Sequence, residues 1–180
     1  DVLNFNLEFL SNFIYLKDDC SKQQIYSSAF SVMSKDYRLI TLKKVAEFFK
    51  KNKLDYKFYV MDKQDLNDEL ITYFSERMTN DVVIENIKKS NVIVDIHKYG
   101  IQDGLTFRVF EAIGYRKKII TTNKDIKTYD FYNPNNIFII EDIENIHIPI
   151  SFFETNYEEI PQEIVKKYTV KNWVTTILAQ

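Results

Sequence analysis

From about Ile25 onward, short β-rich runs alternate with segments whose apolar residues recur at helical spacing. Ile25 to Met33 reads as a strand and Ser34-Lys35-Asp36 as a turn. Leu39 to Lys50 then carries Leu39, Leu42, Val45, Ala46 and Phe49 on one helical face. Tyr56 to Met61 is the next predicted strand, followed by a weak helix over Asp65 to Glu69 and a short strand over Leu70 to Phe74. Thr79 or Asn80 caps a helix running through Lys89, with Val82, Val83, Ile84 and Ile87 as its apolar content. Asn91 to Ile96 is a continuous apolar strand, and Gly104 to Ile113 is a helix with Gly114 as its stop. Lys118 to Thr121 and Ile137 to Ile140 complete the strands. Strands apolar on both faces, alternating with helices, predict an α/β fold: a Rossmann-like parallel sheet flanked by helices.

The two ends of the chain depart from this pattern. Asp1 to Gln24 reads poorly as the start of a fold, so 1–24 is expected to be a linker or interdomain segment and 25–145 the α/β domain. After Glu141 the strand signal stops, and a loop with Pro149 and Pro161 leads to a helix from about Gln162. That helix is broken near Thr169 and ends in Trp173 and Ile177, so 146–180 is expected to be a helical tail packed on the domain. A first residue of Asp1 rather than Met suggests a piece of a longer protein.

Composition narrows the class. A length of 180 residues, 45% hydrophobic and 28% charged, suits one soluble globular domain. A net charge of -2 argues against a nucleic-acid partner or a broad membrane footprint. A single cysteine, Cys20, rules out an internal disulfide and favours a cytoplasmic setting. No apolar run approaches the roughly 20 residues needed to span a bilayer, and no signal peptide is visible. Of only three glycines, Gly100 and Gly104 fall within five residues of each other, which concentrates backbone freedom in one place.

In an open parallel sheet, ligands bind outside the carboxyl ends of the strands. The strand Asn91–Ile96 runs into His97-Lys98-Tyr99-Gly100-Ile101-Gln102-Asp103-Gly104, which opens onto the helix near Leu105. Such a helix start offers free N–H groups and a positive dipole end to an anion. Arg108, one turn in, could clasp a phosphate in a bidentate way, and Thr106 could add a hydroxyl donor. Glu111, three residues on, could accept two hydrogen bonds from a ribose diol. A glycine at a helix start and an Arg–Glu surface pair are also ordinary features, so geometry alone leaves the ligand reading open. The spacing fits neither a dinucleotide fingerprint nor a Walker loop.

The stretch Asp103-Gly104-Leu105-Thr106-Phe107-Arg108-Val109-Phe110-Glu111-Ala112-Ile113-Gly114, followed by Lys117-Lys118-Ile119-Ile120-Thr121-Thr122-Asn123, resembles the donor-site segment of GT-B-fold glycosyltransferases. It is most similar to bacterial enzymes of capsule, exopolysaccharide and lipopolysaccharide assembly, as are Tyr129-Asp130-Phe131-Tyr132-Asn133 and Asn136-Ile137. The resemblance runs from about Phe30 to the C-terminus. It implies a single GT-B half-domain that binds a nucleoside-diphosphate sugar, with Arg108 and Asp103 in catalytic positions. Gly104, Leu105, Thr106, Glu111, Arg38, Ser34, Thr122, Asn123 and Met78 are implied as substrate contacts. Lys35 is a further basic residue after the first strand, and Ser75 to Met78 lie where the nucleobase rests against backbone in such enzymes. Many retaining members carry two glutamates separated by seven residues; the matching positions are Asp103 and Glu111, so the stereochemical outcome stays open.

The resemblance further implies that a glycan or lipid-linked acceptor binds through an N-terminal domain that this chain lacks. The full-length protein could then associate peripherally with the inner face of the membrane. No Asp-x-Asp motif is present, so no cofactor or metal is expected, and leaving-group charge would fall to the helix dipole and Arg108. His97 ends the central strand but has no second His or Cys at metal-ligand spacing. His147 lies in the tail without partners of that kind, and Asp142, Glu144, Glu158 and Glu159 read as solvated charges. Two other classes stay open: a nucleotide-sugar epimerase-like domain, and a non-catalytic flavodoxin-like interaction domain.

Overall fold

A computed structural model describes residues 11–14, 27–63, 67–101 and 104–178. Expectations for Ile25 and Tyr26, Asp65 and Leu66, Cys20, Gln102 and Asp103 lie outside these residues. Six strands form one parallel sheet: β1 (Ser27–Ser34), β2 (Tyr56–Met61), β3 (Thr72–Phe74), β4 (Ser90–Asp95), β5 (Lys118–Thr121) and β6 (Ile137–Ile139). Their spatial order is β3-β2-β1-β4-β5-β6, with Ala29 beside Val92 and Phe30 beside Ile93 where β1 meets β4. The chain steps outward from β1 to β3, then returns to β4 on the other side of β1 and steps outward again. The connections after β1 and β4 therefore leave in opposite directions and open a crevice at their carboxyl ends.

Alternation along each strand divides the core into two layers. Ala29, Val92, Val94 and Ile120 face α1 (Leu39–Lys51), whose Leu42, Val45, Ala46 and Phe49 are fully buried. Phe30, Ile93 and Ile119 face the other way, toward α2 (Asn80–Lys88) and α3 (Phe107–Gly114). Thr79 caps α2, accepting from the Val82 amide, as the sequence predicts.

Several strand ends shift by one or two residues from expectation, with Ser34 inside β1 and not in a turn, and three further differences have identifiable reasons. Helix α3 begins at Phe107 rather than near Gly104, because Thr106 holds an extended backbone (φ -74, ψ 159) as the residue before the first turn. Gly114 is the last helical residue and not the stop. The left-handed position falls on Arg116 (φ 56), which lets the Lys117 amide reach back to the Ala112 carbonyl at 2.8 Å. The stretch Asn67 to Glu69 is not helical: the Asp68 carboxylate accepts from the Leu70 amide at 2.9 Å, a local bond that competes with helix formation.

Past β6 the tail forms α4 (Ser151–Glu154), α5 (Gln162–Lys167) and α6 (Val170–Leu178), with the predicted break at Tyr168 and Thr169. The short α4 was not foreseen. It is anchored by Phe152, buried at 6% exposure, and by the Lys118 ammonium, which donates to the Phe152 carbonyl at 2.8 Å and the Thr155 hydroxyl at 2.6 Å. At the other end of the chain Ile14 is buried and forms a bridge with Thr169, tying the N-terminal stretch to the tail. Among the described residues, no helix is long and apolar enough to cross a membrane.

Candidate functional site

The carboxyl end of β4 carries a built loop. Gly100 and Gly104 both have positive φ (73 and 75), the conformation that favours glycine. The Asn123 side-chain amide donates to the Gly104 carbonyl at 3.0 Å and lies 3.2 Å from His97 Nδ1. An amide N–H can only donate, so in this contact Nδ1 is the acceptor. The Thr122 hydroxyl accepts from the His97 amide at 2.9 Å, and the Tyr99 hydroxyl donates to the Thr122 carbonyl. Thr122 and Asn123 are buried, so their side chains brace the loop from β5. Leu105, buried among the residues beneath α3, seals its far end.

Thr106, the residue before α3, turns its hydroxyl away from the helix and donates to Asp95 Oδ1 at 3.0 Å. One turn later Arg108 forms an ion pair through Nη1 with Glu111, itself buried at 6% exposure. Arg108 closes one side of a cavity of about 380 Å³ at the carboxyl ends of β1 to β3. Val32, Met33 and Ser34 of β1 form its floor with Met61 and Phe74, and Arg77, Met78, Asn80 and Val83 form the α2 side. Among the described residues no carboxylate lines it, and two guanidinium groups and the N-terminus of α2 face it.

The structure thus brings Ser34, Met78 and Arg108 to one cavity, with Glu111 behind Arg108. Gly104, Leu105, Thr106, Thr122 and Asn123 instead assemble the loop that carries α3. Arg38 stands apart: it chelates the Asp36 carboxylate (Nε to Oδ1 2.9 Å, Nη2 to Oδ2 2.8 Å) and donates to the Ile96 carbonyl at 3.1 Å. Lys35 is paired with Asp62. Cavities of similar size lie beside His147 (about 420 Å³) and under the tail at Ile160 (about 480 Å³). Size therefore does not choose the site; its place at the carboxyl end of β1, where α3 brings Arg108, and its two arginines do.

Asp95 is the residue that sequence reasoning missed. It lay hidden inside the apolar run Asn91 to Ile96, and that is also its signal: a carboxylate in a strand otherwise apolar on both faces. Asp95 is 8% exposed, and its Oδ2 has no hydrogen-bond partner. Burial pushes its carboxyl above the ordinary carboxylate range, while the Thr106 hydroxyl and the charge of Arg108 pull the other way. The folded protein therefore keeps this proton to higher pH than the unfolded chain does. Stability from this group falls as pH rises from the unfolded value, about 4, through the raised folded value. Asp95→Asn keeps the shape and stays neutral. Its advantage over the wild type in denaturant unfolding should be near zero at or below about pH 4 and grow toward neutral pH. A difference that did not change with pH would show that Asp95 is ionised in the fold like an ordinary surface carboxylate.

No protein-family model and no curated protein matches the sequence. Solved structures do match. The fold is similar to that of a chain in the GtfA/B complex. That superposition has a TM-score of 0.58 at 10% identity and covers 93% of this chain and 38% of the other. The C-terminal domain of a group 1 family glycosyl transferase (LpcC) from Francisella tularensis aligns at a TM-score of 0.44 and 11% identity, over 93% of this chain and 86% of that one. This chain thus spans well under half the length of its GtfA/B neighbour. At 10% identity, what this chain shares with its GtfA/B neighbour is the Rossmann-like architecture. Among the described residues, no cluster of three His, Cys, Asp or Glu side chains could hold a metal ion.

Proposed function

We propose that this chain is the donor half of a GT-B glycosyltransferase, holding a nucleoside-diphosphate sugar at the carboxyl ends of β1 and β4 for transfer to a glycan or lipid-linked acceptor in surface-polysaccharide assembly. The observation that carries this reading is the cavity between Ser34, Met78 and Arg108, with Val32, Met33, Met61 and Phe74 in its floor and two guanidinium groups at its edge. An anion with a flat apolar part, which is what a nucleotide is, suits such a wall. The resemblance of Gly104 to Tyr132 to donor-site segments supports the same ligand class.

In this reading Arg108 and the N-terminus of α3 meet the diphosphate. A guanidinium has five N–H donors, and the bond to Glu111 uses Nη1, which leaves others for phosphate oxygens. Glu111 fixes the direction of Arg108 and offers its carboxylate to ribose hydroxyls. As the bond to the sugar breaks, negative charge grows on the leaving diphosphate. Prepositioned donors stabilise that charge without reorganising, and no metal is needed for it. Acceptor binding belongs to a second domain.

Calorimetric titration of this polypeptide with uridine, guanosine and cytidine diphosphates and their sugar conjugates tests the reading. At least one should bind with one-to-one stoichiometry, and no sugar should be transferred to acceptor in the absence of a second domain. If none of the panel binds, the donor assignment is wrong; turnover by the isolated polypeptide would refute the half-site part of it.

A further inference from the structure

Two consecutive carbonyls at the entrance to α3 are each held by an asparagine from a distant part of the chain. Asn123, at the end of β5, donates to the Gly104 carbonyl at 3.0 Å. Asn12, on the N-terminal side of β1, donates to the Leu105 carbonyl at 2.7 Å. Leu105 immediately precedes Thr106, so its carbonyl lies outside the helix and has no intrahelical partner. The next residue along, Phe13, meets the Phe107 ring edge-on, with centroids 5.5 Å apart at 84°. Phe13 also packs on Trp173 of α6 at 4.9 Å, and the Trp173 indole donates to the Ser11 carbonyl at 3.1 Å. Backbone bonds lock the corner: Ile14 donates to Tyr168 at 2.6 Å, and Val170 donates to Ile14 at 3.2 Å. Segments from both sides of the α/β domain thus converge on the first residues of the helix that carries Arg108.

We propose that Asn12 is a positioning residue for the candidate site, fixing the turn into α3 from outside the α/β domain, and that site occupancy is coupled through Phe107 and Phe13 to the environment of Trp173. The coupling follows from linkage: if the Asn12 bond favours the ligand-ready position of Leu105 to Arg108, ligand in turn tightens the corner that Asn12 belongs to. The inference rests on the nucleotide reading for its ligand arm only. Trp173 is the one tryptophan of the chain, so its intrinsic fluorescence reports this corner alone.

The test compares wild type with Asn12→Leu, which keeps the volume and loses the donor, and Asn12→Gln, which keeps an amide. Uridine, guanosine and cytidine diphosphates are titrated in turn, with calorimetry and Trp173 emission read on the same samples. Where one binds, emission should shift on saturation. Asn12→Leu should weaken that binding by about fivefold, the worth of one hydrogen bond, and blunt the shift. Asn12→Gln should restore part of both. Equal affinity and an equal emission response in wild type and Asn12→Leu would overturn the proposal. If calorimetry detects no binding, the nucleotide reading fails by itself and amide exchange without ligand decides the positioning role. Faster exchange in Asn12→Leu confined to the α3 entrance upholds it, and unchanged exchange there overturns it. Asn12→Ala is read the same way should the leucine variant not fold.

Discussion

Arg108→Ala should weaken nucleoside-diphosphate binding by about 10- to 150-fold, the equivalent of about 1.5–3 kcal/mol for a lost hydrogen-bonded charge contact. The effect is expected to be large because, among the described residues, Arg77 is the one other cation lining the cavity. The variant also removes an ion pair from a buried carboxylate: Glu111 is 6% exposed and Arg108 is a cation paired with it. Removing one member of such a pair leaves a charge that burial disfavours, so some loss of fold stability accompanies the loss of affinity. The double variant Arg108→Ala/Glu111→Gln also removes the carboxylate charge. It should recover stability while affinity stays low, which separates the two contributions. Arg108→Lys keeps the charge but not the planar fork and should fall between wild type and alanine. Calorimetry with matched thermal unfolding checks all three; affinity unchanged in Arg108→Ala would move the site away from α3.

The elements of this fold are legible in the sequence because their signals are local. Strands β2 and β5 run over the residues that periodicity assigns to them, and the face of α1 that carries Leu42, Val45, Ala46 and Phe49 is the buried one. The glycine pair also announces its loop, since both residues adopt positive φ. What local pattern cannot show is where a polar side chain finds its partner. Thr106 reads as a free donor at a helix start, yet its hydroxyl is held by Asp95, a residue that reads as part of an apolar strand. Asn123 reads as a strand-end ligand contact or a cap for the following turn. Its carbonyl oxygen does accept from the Asp125 amide, while its amide reaches across to Gly104. Arg38 reads as a phosphate contact, and its chelation by Asp36 two residues away is a local option that spacing did not favour over others.

Ile14 shows the same limit over a longer range. The stretch around it does not read as the start of a fold, and its burial is decided by Thr169 and Tyr168 at the far end of the chain. The cavity is legible only as an address. The order β3-β2-β1-β4-β5-β6 places the ends of β1 and β4 side by side, but which side chains line that place depends on α2 and α3 packing on the same face. The fold thus follows from patterns a few residues long. The site follows from pairings such as Asp95 with Thr106 and Asn123 with Gly104, which only the assembled sheet creates.

Phe49→Ala should destabilise the protein by about 3–5 kcal/mol, a large share of the roughly 5–15 kcal/mol that holds a domain of this kind together. Phe49 is completely buried on the α1 face, with its ring edge-on to Tyr56 at 5.8 Å, to Phe58 at 5.6 Å and to Phe153 at 5.4 Å. Those partners come from α1's own sheet neighbour β2 and from α4, so truncation opens a cavity that no single flexible side chain can refill. Urea unfolding should show a lower midpoint with an unchanged slope, the mark of lost stability rather than an altered unfolded state. Phe48, partly exposed beside it, should cost clearly less on the same substitution. The sheet lies between Phe49 and the residues that hold α3, which pack in the opposite layer around Phe110 and Ile113. The folded fraction of Phe49→Ala should therefore keep its nucleotide affinity within about twofold, since sites without shared partners are nearly additive. A parallel fall in affinity would mean that the two layers are not independent, and that the position of Arg108 is set through the strands as well as by the loop that precedes it.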